Sequence, residues 1–318
     1  MVDVVTLGET MLRLSPVSVS TLEEAQQLQV DVAGAESNVA AGLARMGLCA
    51  GWISKLVDNA VGRLIARRIG WHGVDISRIV WAERGRNGLY YLEPGVDPRS
   101  TKLIYDRAGS AFTTLRSDQL DWQYIRQAQL IHLSGITPAL GKLSRDLTLQ
   151  VIDEAKRSGI LVSIDINYRN KLWSARRAKK ILSPLAALAD ILICSIRDAA
   201  TVFGMNSENP EKVAAEMQHT FGCPTVVITL GDGGALARSN GTVEYQGAYA
   251  ADIVDRIGRG DCFSAGFLYG FLREDVPAAL KYGNAMAALN QTTRGDFFWC
   301  DKQDVEALIS GERSAVQR

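Results

Sequence analysis

Nine consecutive residues, Asp255-Arg-Ile-Gly-Arg-Gly-Asp261-Cys-Phe263, set two glycines and a carboxylate at the mouth of an apolar helical pattern. Phe263, Phe267, Leu268, Phe271 and Leu272 recur at i, i+4, i+5, i+8 and i+9, the spacing of one buried helix face. The first amides of such a helix lack intrahelical partners and sit at the positive end of its dipole, so they draw anions. Gly258 and Gly260 let that backbone close on a phosphate with no Cβ in the way. Asp261 then has two readings: a helix cap, a frequent role for aspartate, or a base facing whatever occupies the anion pocket.

Two other clusters carry glycine at suggestive places. Thr229-Leu-Gly-Asp-Gly-Gly234 follows a strand pattern at 225–230. Open α/β sheets bind ligands at tight turns of this kind, and a plain hairpin turn explains the residues as well. Gly34-Ala-Glu-Ser-Asn38 precedes the small-residue run Val39-Ala-Ala-Gly-Leu-Ala. It reads either as a capped helix packed closely on a sheet or as Asn38 and the Gly34 backbone gripping ligand hydroxyls. No G-x-x-x-x-G-K-[ST] occurs, no G-x-G-x-x-G follows the first strand, and the H-R-D and D-F-G pairs of protein kinases are missing. Of the three histidines, His132 lies in a strand pattern and reads as a packed residue, while His72 and His219 lack metal-ligand spacing. A catalytic base is therefore expected to be a carboxylate, with no protein metal site.

These residues need a frame, and the chain supplies one. Its 318 residues are 47% apolar, enough for a large core. Thirty-five basic and 35 acidic residues balance without a basic block, which argues for a small-molecule partner over nucleic acid or an anionic membrane. Five scattered cysteines, an opening strand pattern Val2-Asp-Val-Val-Thr-Leu7 and the lack of an apolar run of about 18 residues predict a cytoplasmic protein. Strands are expected at 2–7, 50–56, 128–134, 160–168, 190–195 and 225–230. Helices are expected at 35–46, 141–158, 176–188, 209–220, 261–273 and 276–292. Such alternation implies a parallel sheet covered on both faces. Residues 10–33 and 84–110 break the rhythm with Met11-Leu-Arg-Leu14, Gly88-Leu-Tyr-Tyr-Leu-Glu93 and Lys102-Leu-Ile-Tyr-Asp106. They predict a small accessory β-sheet placed as a lid over a ligand crevice. Its exposed strand edges predict pairing with a second copy, a homo-oligomer through the lid.

Taken in order, the clusters resemble those of the PfkB (ribokinase-like) carbohydrate kinases over essentially the whole length, and within them most of all the 2-keto-3-deoxygluconate kinases. The likeness rests on Gly8-Glu9, Gly34-Ala-Glu-Ser-Asn-Val-Ala, Asp165-Ile-Asn-Tyr-Arg169, Thr229-Leu-Gly, Asp255 with Gly258-x-Gly260-Asp261, and Gly295-Asp-Phe297. It implies an α/β fold: a single ribokinase-like domain over 1–318, a three-layer αβα sandwich with a mostly parallel central sheet and a small β-sheet lid. The implied activity is ATP-dependent phosphorylation of a primary hydroxyl of a sugar acid, with Mg2+ arriving on the ATP.

By this resemblance Asp261 is the base, and the amides of Gly258, Arg259, Gly260 and Asp261 form the anion hole, as suits a reaction governed by positioning and charge. Asn167 and Arg169 approach the phosphates or the substrate's acid end. Ser195, Thr229, Leu230, Gly231, Gly234 and Asn284 line the nucleotide site, together with Gly258 and Gly260. A sugar carboxylate calls for arginine's planar fork, and Arg107 stands where similar kinases hold it. Tyr90 and Tyr105 cover the carbon chain. Gly34 and Asn38 hold hydroxyls, and Asp296 meets the ketone or hydroxyl end unless it is a plain turn residue. Three positions depart from the pattern: Arg259 where alanine is usual, Ser195-Ile-Arg-Asp198 for Asn-x-x-Glu, and Arg294 for a proline. They leave open a kinase of a neutral sugar, of fructokinase or ribokinase type, or a sugar- or nucleotide-binding protein that no longer catalyses.

Overall fold

The computed structural model describes residues 2–312. Eight strands form the main sheet, in the order Thr242–Gln246, Ala235–Ser239, Thr225–Thr229, Ile191–Ser195, Leu161–Asp165, Leu130–Ser134, Val4–Leu7 and Ala50–Ile53. The six from Thr225–Thr229 to Ala50–Ile53 run parallel, and the first two fold back antiparallel as an edge hairpin. The parallel strands are continuous apolar, β-branched runs because both of their faces are covered. Val5 and Leu7 enter one core with the helices Lys142–Arg157, Ala175–Ala186 and Pro210–Phe221. Val4 enters the opposite core with Ala35–Arg45, Ala60–Gly70, Arg259–Arg273 and Val276–Asn290. The result is the three-layer αβα sandwich.

The expected elements are present, with ends that coincide or differ by up to three residues. The long strand expected at 50–56 is two: after Ile53 the chain leaves the main sheet, and Lys55–Val57 pairs with Val80–Ala82. The helices Ala60–Gly70, started by Asn59 accepting from the Gly62 amide, and Lys302–Ser310 are additions to the expected set. The helices Arg259–Arg273 and Val276–Asn290 pack so closely that a Cβ on Gly266 would lie 2.4 Å from the Tyr282 carbonyl. No helix among the described residues is long and apolar enough to cross a membrane.

The four-stranded accessory sheet runs Leu28–Ala33, Met11–Pro16, Leu89–Glu93, Lys102–Asp106. Strand alternation sorts it into two faces. One row is Asp31, Arg13, Tyr90 and Tyr105; the adjacent row on the other face is Val30, Leu14, Tyr91 and Ile104. The first row carries the polar groups toward the main sheet, where Tyr90 and Tyr105 line a cavity.

Candidate active site

The cavity, about 750 Å³, opens where the parallel strands end, between the main and accessory sheets. Asp165, Ser195 and Thr229, the last residues of three adjacent strands, all reach it. Across from them stands the start of the helix Arg259–Arg273. Its N-terminal Gly258 has φ 82°, a left-handed conformation that a side chain resists, and a Cβ there would meet the Asp296 carbonyl at 2.3 Å. Gly260 faces open space, so its lack of a side chain leaves the helix mouth clear.

Asp261, in the first turn, makes no cap bond to its own helix. Its carboxylate instead accepts from Asn38 Nδ2 at 2.7 Å and Asn167 Nδ2 at 3.4 Å. Burial raises its pKa to about 6, against the pull of Asn38 and Arg169 and with help from Glu36. It is thus a largely ionised, poorly solvated carboxylate at neutral pH, the condition of an effective base. Asn38 gives one amide hydrogen to Asp261 and, like Gly34, lines the cavity. The helix that carries Asn38 is pinned by buried Glu36, which accepts from Ser134 Oγ and Thr137 Oγ1 at 2.7 Å each.

Behind Asp261 lies a second acidic group. Burial, then the charges of Asp261 and Asp198, raise Asp165 to about 8. Its Oδ1 accepts from the Asn167 amide at 3.1 Å and so holds Asn167 at φ 38°, a left-handed conformation that asparagine tolerates. Burial raises Asp198 as well, and it accepts from the Tyr168 amide at 3.2 Å. Ser195 Oγ accepts from the Asp198 amide at 3.0 Å. Arg169 and Arg197 line the same wall, and neither makes an ion pair among the described residues. No group of three His, Cys, Asp or Glu is placed to hold a metal among the described residues. The under-neutralised Asp165 and Asp198 nonetheless suit the hydrated magnesium of a nucleotide, which keeps its waters and presents them to carboxylates.

Thr229, Gly231, Gly234 and Asn284 also line the cavity; Leu230, expected among them, packs against the core instead. The glycine turn proves to be both things the sequence allowed, a hairpin connection and part of the cavity wall. Asn284 Nδ2 is held by the Leu280 carbonyl at 2.9 Å. Arg259 turns its side chain neither to bulk solvent nor into the helix mouth: its Nη1 lies 2.7 Å from Asp232 and 3.3 Å from Gln291 Oε1.

The accessory sheet closes the site. Tyr90 and Tyr105 pack at a tilt of 43° with centroids 5.7 Å apart, and the Arg107 guanidinium sits over the Tyr105 ring. Arg107 was expected to offer its fork to a ligand, yet its Nε donates to Glu9 Oε2 at 2.8 Å and its Nη2 to the same oxygen. Both residues line the cavity. Asp296 is no plain turn residue: it is 5% exposed, and Arg13 holds it at 2.7 Å while holding Asp255 at 2.8 Å. Tyr90 donates its hydroxyl to Asp296 at 3.3 Å. Burial lifts Asp296 to about 6 although Arg13 opposes it. Burial alone would lower Arg13, but the charges of Asp296 and Asp255 outweigh it and keep the guanidinium charged. Arg13, Glu9, Glu36 and Arg197 carry no assigned role in the sequence reading, and Asp198 enters it only as the end of Ser195-Ile-Arg-Asp198. A signal existed for Arg13, a lone charge in the apolar strand Met11-Leu-Arg-Leu14.

Comparison with known proteins agrees with this geometry. Residues 1–300 match the model of the pfkB family carbohydrate kinases. A 2-dehydro-3-deoxygalactonokinase of Haloferax volcanii is 40% identical over 317 residues, 99% of each chain. A 2-dehydro-3-deoxygluconokinase of Bacillus subtilis is 31% identical, covering 99% of this chain and 98% of its own. The crystal structure of 2-dehydro-3-deoxygluconokinase from Thermotoga maritima superposes with a TM-score of 0.92 at 35% identity, over 98% of both chains. Helix mouth, glycine turn and lid thus occur in the order and fold of a sugar kinase, and the chain belongs to the pfkB family carbohydrate kinases.

Proposed function

We propose that the protein transfers the γ-phosphoryl group of ATP to the primary hydroxyl of a 2-keto-3-deoxy sugar acid, 2-keto-3-deoxygluconate or its galacto epimer, giving the 6-phosphate and ADP. The observation that carries this reading is the buried, raised carboxylate of Asp261 at the mouth of an anion-attracting helix. The names of the two curated relatives favour a 2-keto-3-deoxy acid.

In this reading the sugar lies under Tyr90 and Tyr105 with its hydroxyl against Asp261. As the hydroxyl oxygen forms its bond to the γ-phosphorus, the bond to ADP breaks and Asp261 takes the proton. The amides of Gly258 to Asp261 hold the charge on the transferring group, in a site that pre-pays its reorganisation. Asn38 and Asn167 keep the carboxylate aimed. Asp165 and Asp198 would hold the water shell of a magnesium ion carried by ATP, and that ion would supply positive charge at the phosphates.

Arg169 meets the sugar carboxylate, and Arg107, on the lid, supports it. A product-detected assay of both epimers, with ribose and fructose alongside, tests the substrate class. Arg169→Ala is expected to lower kcat/KM for the acid by roughly 10- to 100-fold, the worth of a charge-assisted hydrogen bond, and to leave turnover of a neutral sugar little changed. Phosphorylation of ribose or fructose in preference to either acid would replace this reading with the neutral-sugar one.

The outer row of the lid, Val30, Leu14, Tyr91 and Ile104, is apolar, with Val30 and Ile104 exposed. The edge strands Leu28–Ala33 and Lys102–Asp106 flank it. We place a second copy of the chain on this face. Sedimentation is expected to show a dimer that Ile104→Glu converts to monomer; a wild-type monomer at micromolar concentration would exclude the arrangement.

A further inference from the structure

Arg259 is the first residue of the helix whose amides form the anion hole, yet its side chain reaches back across the cavity mouth. Its guanidinium spans from Asp232 at 2.7 Å to Gln291 Oε1 at 3.3 Å. It also lies over the glycine turn, with Nη2 3.3 Å from where a Cβ on Gly231 would stand. Arg256 reaches the same Asp232 carboxylate at 3.5 Å. All of these residues line the cavity that holds Asp261.

The partner, not the arginine, is the loosely held member of this group. Asp232 is 75% exposed, whereas the Arg259 side chain is only 27% exposed. An ion pair with so exposed a carboxylate is weak and readily exchanged. A polyphosphate entering between the glycine turn and the helix mouth carries more negative charge than one carboxylate, and its oxygens match the guanidinium fork. Asp232 need not be left alone by the exchange, since Arg256 is already beside it.

We propose that Arg259 is a phosphate-contacting residue that selects for di- and triphosphate nucleotides, exchanging Asp232 for phosphate oxygens when the donor binds. This rests on the ATP-dependent reading above and adds to it a side chain that the family pattern lacks. Asp232 is a placeholder that keeps the guanidinium over the turn while the site is empty.

The test is calorimetric titration of wild type, Arg259→Ala and Asp232→Ala with MgATP, MgADP and AMP, together with KM for sugar and for ATP. Arg259→Ala is expected to weaken MgATP and MgADP binding by about 10-fold or more, the loss of one charge-assisted contact. AMP affinity and the KM for sugar should not change. Asp232→Ala is expected to leave MgATP binding unchanged or tighter, because it removes a competitor. Unchanged MgATP affinity in Arg259→Ala would overturn the proposal. So would an equal weakening in both variants, which would mark the pair as a structural strap. Thermal melts of both variants separate these outcomes from misfolding. Wild type that binds MgATP through Arg259 yet phosphorylates no sugar acid would defeat the substrate reading and leave this one standing; wild type that binds no MgATP would defeat both.

Discussion

Asp261→Asn is expected to bind sugar acid and MgATP with near wild-type affinity while kcat falls by about 10³-fold, within the range that loss of a general base costs. The substitution keeps the shape of the side chain, and its oxygen still accepts from Asn38 Nδ2, now 2.7 Å from the carboxylate. Only the capacity to take a proton is lost. The pH profile sharpens the test. Burial raises the carboxyl to about 6, so the active, ionised form disappears as pH falls through that value. Wild-type kcat/KM should drop tenfold per unit below about pH 6 and level above it. The residual rate of the asparagine variant should lack that limb. Steady-state kinetics from pH 5 to 8, with calorimetric binding at one pH, checks both parts.

The second large effect concerns stability. Arg13→Ala is expected to destabilise the protein by about 3–5 kcal/mol, the usual cost of removing one partner from a buried charge cluster. The guanidinium is 6% exposed and holds Asp255 and Asp296, which are 14% and 5% exposed. Without it two carboxylates face each other in a poorly solvated loop pair. Asp296 is already raised to about 6 with Arg13 present and opposing the shift, so removing the arginine raises it further. A carboxyl whose folded-state pKa exceeds its unfolded value favours the fold at low pH, and that contribution is lost as pH rises through the folded value. The deficit of the variant should therefore be larger at pH 8 than at pH 5. Thermal or urea unfolding at both values decides it, and equal deficits would contradict the account. Asp255 also accepts from the Ile257 amide at 3.0 Å, just before Gly258. The same clamp thus ties the lid strand to the anion hole.

Legibility from sequence followed the range of the interactions. The helix mouth could be read because its signals are local: two glycines, a carboxylate and an apolar period within fifteen residues. The lid could be read because period-two alternation is also local, and Leu12, Arg13 and Leu14 already sort into faces. The partners of these groups could not be read, because they lie far along the chain. Arg13 meets Asp296 across 283 positions, and Asn38 meets Asp261 across 223. Arg107, expected on the lid, lines the cavity, but its pairing with Glu9, 98 residues away, depends on how lid and sheet meet. The resemblance puts Leu230 at the nucleotide site with Thr229 and Gly231, whereas its apolar side chain follows the core. The helix Ala60–Gly70 was passed over because arginines interrupt its short apolar stripe, although Ile65 and Ile69 are both fully buried.

A crystal structure with a non-hydrolysable ATP analogue and 2-keto-3-deoxygluconate is the most direct measurement of the central claim. The account predicts the sugar's primary hydroxyl within about 3 Å of an Asp261 carboxylate oxygen, in line with a γ-phosphate held by the 258–261 amides. A hydroxyl bound away from Asp261, or a γ-phosphate held elsewhere than at the helix mouth, would contradict it.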